Sequence, residues 1–265
     1  MFKKILIMPH HTETSDNAID YAARLFPNSE FHIVSAAYLD TDTAAPSYLY
    51  RSFLETLSKE TIDNTSKLLN KYDIEPETNI IWGESSYEIL EYIEKKDIEL
   101  VVIPIEKRDI FYKLMFHGPD EKVITKAKIP ILTVNWQASL RRPLSIFNPT
   151  DGLMHSFMAS EMAILLAGQF NSKINRIFIG KSKHRYKRAM NWAKEEAERL
   201  HIQMKTDCAI GNFHHGEKIM ELLHSKNYDL IVMGKGKGLA HGDMLSIVSR
   251  EIIASAHVPV LVVGS

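Results

Sequence analysis

The sequence predicts an α/β protein built as two tandem doubly wound parallel-sheet domains, each of about five strands and four helices. Three observations carry this. Short apolar runs alternate with longer segments of helical periodicity. The runs are continuous instead of alternating apolar with polar, which marks strands covered on both faces. The second half of the chain also repeats the first.

The repeat emerges when the chain is compared with itself. Leu100-Val101-Val102-Ile103-Pro104 corresponds to Leu230-Ile231-Val232-Met233-Gly234, an offset of 130 positions. Ile129-Pro130-Ile131-Leu132-Thr133-Val134 corresponds to Val258-Pro259-Val260-Leu261-Val262-Val263 at an offset of 129, and Trp82-Gly83-Glu84 to Ile210-Gly211-Asn212 at 128. Ile5-Leu6-Ile7-Met8-Pro9-His10 corresponds to Ile146-Phe147-Asn148-Pro149-Thr150-Asp151 at 141. Four matches in one order, with slowly drifting offsets, describe duplication at domain scale. The first copy carries extra residues, placed between Asp40 and Tyr50. The domains are residues 1–138 and 143–265, and the linker lies near Trp136 to Pro143, where a proline suits a boundary.

In the first copy, residues 4–8 read as a buried strand. The apolar run is too short for a signal peptide and is followed at once by His10 and His11. Ser15-Asp16 can cap a helix through Ala18, Ile19, Tyr21, Ala22 and Leu25. Strands follow at 31–36, 79–82, 100–105 and 131–134, with helices at 51–72, 87–95 and around 121–126. The second copy repeats this. Its strands are at 145–148, 176–179, 208–210, 230–233 and 259–263, and its helices at 157–168, 186–200, 216–225 and 244–256. In such folds ligands bind beyond the carboxyl ends of the strands, where the strand order switches direction.

Composition narrows the function classes. The 265 residues carry a formal net charge of -1, so no global basic field is present to hold nucleic acid or an anionic membrane. No run is long and apolar enough for a transmembrane helix. The single cysteine, Cys208, forbids an intramolecular disulfide and fits a cytoplasmic location. It reads as a small buried hydrophobe. No His-Glu-x-x-His or paired-cysteine motif occurs, so no metal site is expected. The basic run from Lys181 to Arg188 reads as a solvated loop and helix start. No catalytic residues can be singled out.

One stretch can carry chemistry. Met233-Gly234-Lys235-Gly236-Lys237-Gly238-Leu239-Ala240-His241-Gly242 follows a buried strand and precedes a helix. Glycines let the backbone approach a ligand, and free N–H groups at a helix N-terminus attract phosphate. The stretch is neither a Walker A loop nor a dinucleotide fingerprint, so phosphate cradle and flexible surface loop both stand. Ser246 and Ser249 open the following helix, as phosphate donors or as caps. Asp151 follows the first strand of the second copy, either as an acceptor for a ribose or base, or as a loop aspartate.

Pro149-Thr150-Asp151 after a strand, Gly211, Met233-Gly234 with its glycine-rich loop, and the terminal Val258-Pro259-Val260-Leu261-Val262-Val263 together resemble a universal stress protein domain. The resemblance covers both halves, as in a tandem member of that family. It implies an adenine-nucleotide alpha hydrolase-like fold. It also implies a stress-response protein that binds ATP, with Mg2+, at the carboxyl ends of the strands, as a sensor or regulator and not a dedicated enzyme. Family members usually pair through the last strand, which implies a homodimer or an internal pseudo-dimer. The alternative is an interaction scaffold of the same fold that binds no nucleotide.

Carried onto this sequence, the nucleotide site of the second copy comprises Pro149, Thr150, Asp151, Ile179, Met233, Gly234, Gly236, Gly238, Gly242, Ser246, Val248 and Ser249. It departs from the family's Gly-x-x-Gly, nine residues, Gly-Ser/Thr pattern. The loop is one residue short, Ser246 stands where glycine is expected, and Ile247 stands where a hydroxyl residue is expected, leaving Ser249 to substitute. The first copy departs further. His10 replaces the aspartate, no glycine lies between Glu106 and Tyr112, and Pro119 removes an N–H donor. That copy is expected not to bind ATP in the family manner. A slow nucleotide hydrolase would need a base, and His241 is the nearby candidate.

Overall fold

The computed structural model describes residues 2–10, 12–38, 48–83, 85–106, 119–181, 183–211, 214–236 and 245–264. The chain divides into two compact units, Met1–Trp136 and Gln137–Ser265.

The first unit contains β1 (Lys4–Ile7), α1 (Glu13–Leu25), β2 (Glu30–Tyr38), α2 (Tyr48–Asn70), β3 (Glu77–Gly83), α3 (Ser85–Lys95), β4 (Leu100–Ile105), α4 (Pro119–Lys126) and β5 (Ile131–Asn135). Its strands run parallel in the order β3-β2-β1-β4-β5. The apolar runs are strands because burial on both faces rewards them: Ile5, Leu6, Ile7, Phe31, Ile33, Leu100 and Val101 are all fully buried. α1 begins earlier than the sequence suggests. Thr12, in extended backbone, accepts from the Ser15 amide and is the N-cap. Ser15 lies inside the helix, buried, and its hydroxyl accepts from the His10 amide.

The second unit contains β6 (Ser145–Thr150), α5 (Met154–Phe170), β7 (Lys173–Gly180), α6 (Lys183–Arg199), β8 (Met204–Ile210), α7 (His215–Ser225), β9 (Leu230–Gly234), α8 (Ile247–Ser255) and β10 (Val260–Val263). Its strands are parallel in the order β10-β9-β6-β7-β8. From β6 the chain moves to β7 on one side, and from β8 it crosses over to β9 on the other. The switch point therefore lies between β6 and β9. α5 starts at Met154, not near residue 157, and ends where Asn171 adopts a left-handed conformation (φ 55).

Two expectations are corrected at the edge of this sheet. β8, the outermost strand of the sheet, is largely exposed, not covered on both faces. Cys208 lies on that strand and is exposed, not a buried hydrophobe. Among the described residues, no helix is long and apolar enough to cross a membrane.

Candidate functional site

A cleft of about 680 Å³ opens at the carboxyl ends of β6 and β9, over the switch point of the second unit. Strand ends supply Pro149, Thr150, Asp151, Ile179, Met233 and Gly234. Gly236, Ser246, Val248 and Ser249 come from the segment leading into α8 and its first turn. Ten of the twelve residues that the sequence singles out thus line one cavity, and the other two, Gly238 and Gly242, lie outside the described residues together with Lys237 and His241.

Local geometry explains why these residue types stand here. Gly234 ends β9 directly under α5. A Cβ at this position would lie 2.5 Å from the carbonyl oxygen of His155 and 2.7 Å from its ring. Only a residue without a side chain lets that helix pass so close to the strand end. Gly236 has φ +66, and a Cβ there would meet the Ser246 hydroxyl at 2.7 Å. Ser246 caps α8, its hydroxyl accepting from the Ser249 amide at 3.0 Å. Ser249 is buried and donates to the Lys235 carbonyl at 2.6 Å. The two hydroxyls sit 2.8 Å apart. Lys235, Gly236 and the start of α8 are thus stitched into one wall. The N-terminal turn of α8 faces the cavity, the arrangement that favours anions. Ile247, where the sequence resemblance implies a hydroxyl residue, is exposed and outside the cleft. Lys235 is half-buried, and burial pulls its ammonium down to about 8.

Asp151 stands at the mouth of the cleft. Burial pushes its carboxyl up, but His155, the Leu153 amide and the Ser156 hydroxyl together outweigh burial and hold it below the ordinary carboxylate range. Its Oδ1 accepts from Leu153 N at 2.9 Å, and its Oδ2 lies 3.4 Å from His155 Nε2. The carboxylate is ionised and held in place, ready to accept a hydrogen bond from a hydroxyl or amine.

The sequence reading misses Leu153, Met154, His155, Ser156, His215 and Ile219, which also line the cleft. His155 could be found by placing the start of α5 directly after Asp151, because Asp151 and His155 are then an i, i+4 pair. Leu153 and Met154 extend the apolar spacing of Phe157 and Met158 by one turn, but the polar His155-Ser156 interrupts the run, so a helix read from Phe157 leaves its first turn out.

Beneath the cleft lies Arg176 of β7, wholly buried. Its guanidinium donates to Asn148 Oδ1 and Ser160 Oγ, and reaches Thr150 Oγ1 and the Ala189 carbonyl at 3.4 Å each. No carboxylate pairs with it among the described residues. Burial pulls its pKa down to about 10, so it remains a cation at neutral pH. Thr150 joins it to the cleft wall, donating to Ser156 Oγ at 2.9 Å.

The matching place in the first unit is built differently. His10 follows β1, with Nε2 3.0 Å from Asp120 Oδ2 of α4 and Nδ1 3.7 Å from Glu106 Oε1 beyond β4. Thr12 donates to the same Glu106 oxygen. Burial pulls the imidazole down, but Asp120 and Glu106 outweigh it and raise its pKa to about 9. Residues 107–118, which follow Glu106 in the sequence, lie outside the described residues.

The sequence matches the universal stress protein family over residues 1–135 and 149–264. It is 30% identical over 140 residues to a universal stress protein of Methanocaldococcus jannaschii, an alignment that covers 51% of this chain and 82% of that protein. The fold is similar to a universal stress protein structure from Archaeoglobus fulgidus DSM 4304, with a TM-score of 0.82 at 16% identity over 98% of this chain and 96% of that one. It is also similar to a protein of unknown function from Pseudomonas aeruginosa PAO1, with a TM-score of 0.64 at 14% identity over 99% of this chain and 92% of that one.

Proposed function

The chain belongs to the universal stress protein family, and from that premise we propose that its second unit binds an adenine nucleotide, ATP with Mg2+, as a sensor or regulator of a stress response. One observation carries the reading: a single cleft at the β6/β9 switch point gathers Asp151, Gly234, Gly236, Ser246 and Ser249. Its volume falls in the range of about 300–1,000 Å³ usual for small-molecule sites.

The roles follow from the chemistry. Asp151 accepts from the ribose hydroxyls. Met233, Ile179 and Ile219 offer apolar surface to the base. Gly236 and the first turn of α8 present N–H groups to the phosphates. Mg2+ would offset phosphate charge that the chain's own cations do not neutralise. Ser246 and Ser249 already bond each other and the Lys235 carbonyl, so they shape the phosphate wall more than they grip a ligand. Binding and not turnover is the proposed activity, in the cytoplasm, with association through the last strands and no nucleic-acid partner. Nucleotide binding would shift the population of states that a partner reads.

Calorimetric titration of the full chain with ATP and Mg2+ tests this. The expected result is saturable binding at one nucleotide per chain, abolished by Asp151→Ala. A chain that shows no heat and no saturation at millimolar ATP favours the scaffold alternative, and the proposal is then wrong.

A further inference from the structure

A second cluster of ligating side chains lies in the first unit, far in sequence from the residues that form its strand-end cluster. Glu30 and His32 are two apart on β2, so both project from the same face of the sheet. Glu77 is the register partner of His32 on the neighbouring strand β3, which places it beside the imidazole on that face. One ligand atom from each of the three lies within 4.8 Å of the others. His32 Nε2 is 3.0 Å from Glu30 Oε1, and Nδ1 is 3.6 Å from Glu77 Oε2.

We propose that Glu30, His32 and Glu77 form a binding site for a divalent first-row transition ion of the zinc class. One imidazole nitrogen and two carboxylate oxygens are a three-ligand set that such an ion completes with water. The ring is fully buried and its position fixed, while the carboxylates are 53% and 45% exposed and give the ion its entry path. The ring's second nitrogen already has the outer partner that metal-ligating histidines use: the Tyr92 hydroxyl, 2.9 Å from Nδ1. A hydroxyl both donates and accepts. Tyr92 can therefore accept from Nδ1–H while Nε2 gives its lone pair to the ion. In the ion-free protein the same cluster is a hydrogen-bonded network in which the His32 ring bridges Glu30 and Tyr92.

Internal duplication provides a control. The positions matching Glu30, His32 and Glu77 in the second unit, read from the equivalent registers, are Lys173, Asn175 and Lys205. The position matching Tyr92 is Leu222. All three ligands and their supporting hydroxyl differ together on the same backbone positions, and the second set cannot hold a cation. A resident cation also competes at the first site: Lys96 Nζ lies 2.5 Å from Glu77 Oε1. The sequence gives no motif for this site because its ligands come from two separate strands.

The test is titration of the chelator-stripped full chain with Zn2+, read by calorimetry and by the NMR signals of the His32 ring. We expect one tight equivalent that moves those signals, and affinity falling about tenfold or more in Glu30→Gln and in Glu77→Gln. Both glutamates are exposed, so these variants keep the fold. Lys96→Met removes the competing ammonium and should tighten Zn2+ binding, an effect that no nonspecific histidine site would show. Binding unchanged in the Glu30→Gln/Glu77→Gln double variant, or unmoved His32 signals, overturns the proposal. So does an absence of tight binding in the parent chain. ATP titration reads a different unit, so either result leaves the nucleotide reading to its own test.

Discussion

The two units have the same strand order and switch point, and each has its own apolar core, yet their strand ends carry opposite solutions. In the second unit, Asp151, Gly234 and Gly236 leave an open cleft. In the first, the positions matching Asp151 and Gly234 are His10 and Pro104, and His10 is engaged by Glu106 and Asp120. The same difference extends below. The pair Asn148 and Arg176 in the second unit matches Ile7 and Ile33 in the first, all four buried. An apolar pair beneath an ion-paired cluster has become a polar, cationic pair beneath a cleft. The scaffold tolerates both because the sheet is held by its apolar strands, and what projects beyond their carboxyl ends is free to change.

The sharpest way to break this comparison is to return a side chain to the second unit's strand end. In Gly234→Val, the new Cβ falls within 2.5 Å of the His155 carbonyl, which is backbone and cannot swing aside. α5 must move. We expect nucleotide binding to be lost and the second unit to be destabilised by roughly 3 kcal/mol, at the upper end for overpacking. Thermal unfolding and ATP titration measure both. Binding at parental affinity would show that the close approach of α5 to β9 does not shape the cleft.

The first unit is probed by pH. His10 is raised to about 9 against an ordinary value of 6.5. The folded state therefore holds its proton more tightly than the unfolded one. That stabilisation is fully present below about pH 6.5 and is lost as pH rises through about 9, a contribution on the order of 1–3 kcal/mol for a partly exposed group. NMR titration of the imidazole checks the value, and Asp120→Asn should lower it towards the ordinary range. An imidazole that titrates near 6.5 in the parent chain would mean that the pair does not hold the strand ends together.

Much of this was legible in the sequence. Duplication and the strand alternation follow from apolar runs, punctuation by proline and glycine, and offsets, and most cleft residues follow from the family resemblance that those motifs carry. What was not legible has physical causes. Most helix starts are read late, because caps such as Thr12 and polar breaks such as His155-Ser156 hide the first turn, whereas α8, read from residue 244, begins at Ile247. Cys208 was placed inside, because β8's edge position is a property of the sheet and not of the segment. Arg176 was missed, because an arginine in a strand normally reads as surface. Only the register that sets it beside Asn148, and the packing of α5 and α6 over it, show a cation enclosed.

That cation offers the finest test of how the two units differ. A buried charge without a counter-charge is costly, and the first unit manages with Ile33 at the same place. If Arg176 conditions the cleft above it, its influence should scale with ligand charge. Arg176→Met should weaken ATP binding on the order of tenfold while leaving adenosine affinity unchanged, since the change is one of potential at the phosphates and not of shape. Arg176→Lys, which keeps the charge, should recover part of the ATP affinity. Paired titrations with ATP and adenosine for the three chains measure the ratio directly. An equal loss for both ligands would assign Arg176 a packing role beneath Thr150 and leave the proposed phosphate binding to the first turn of α8 and the residues around it.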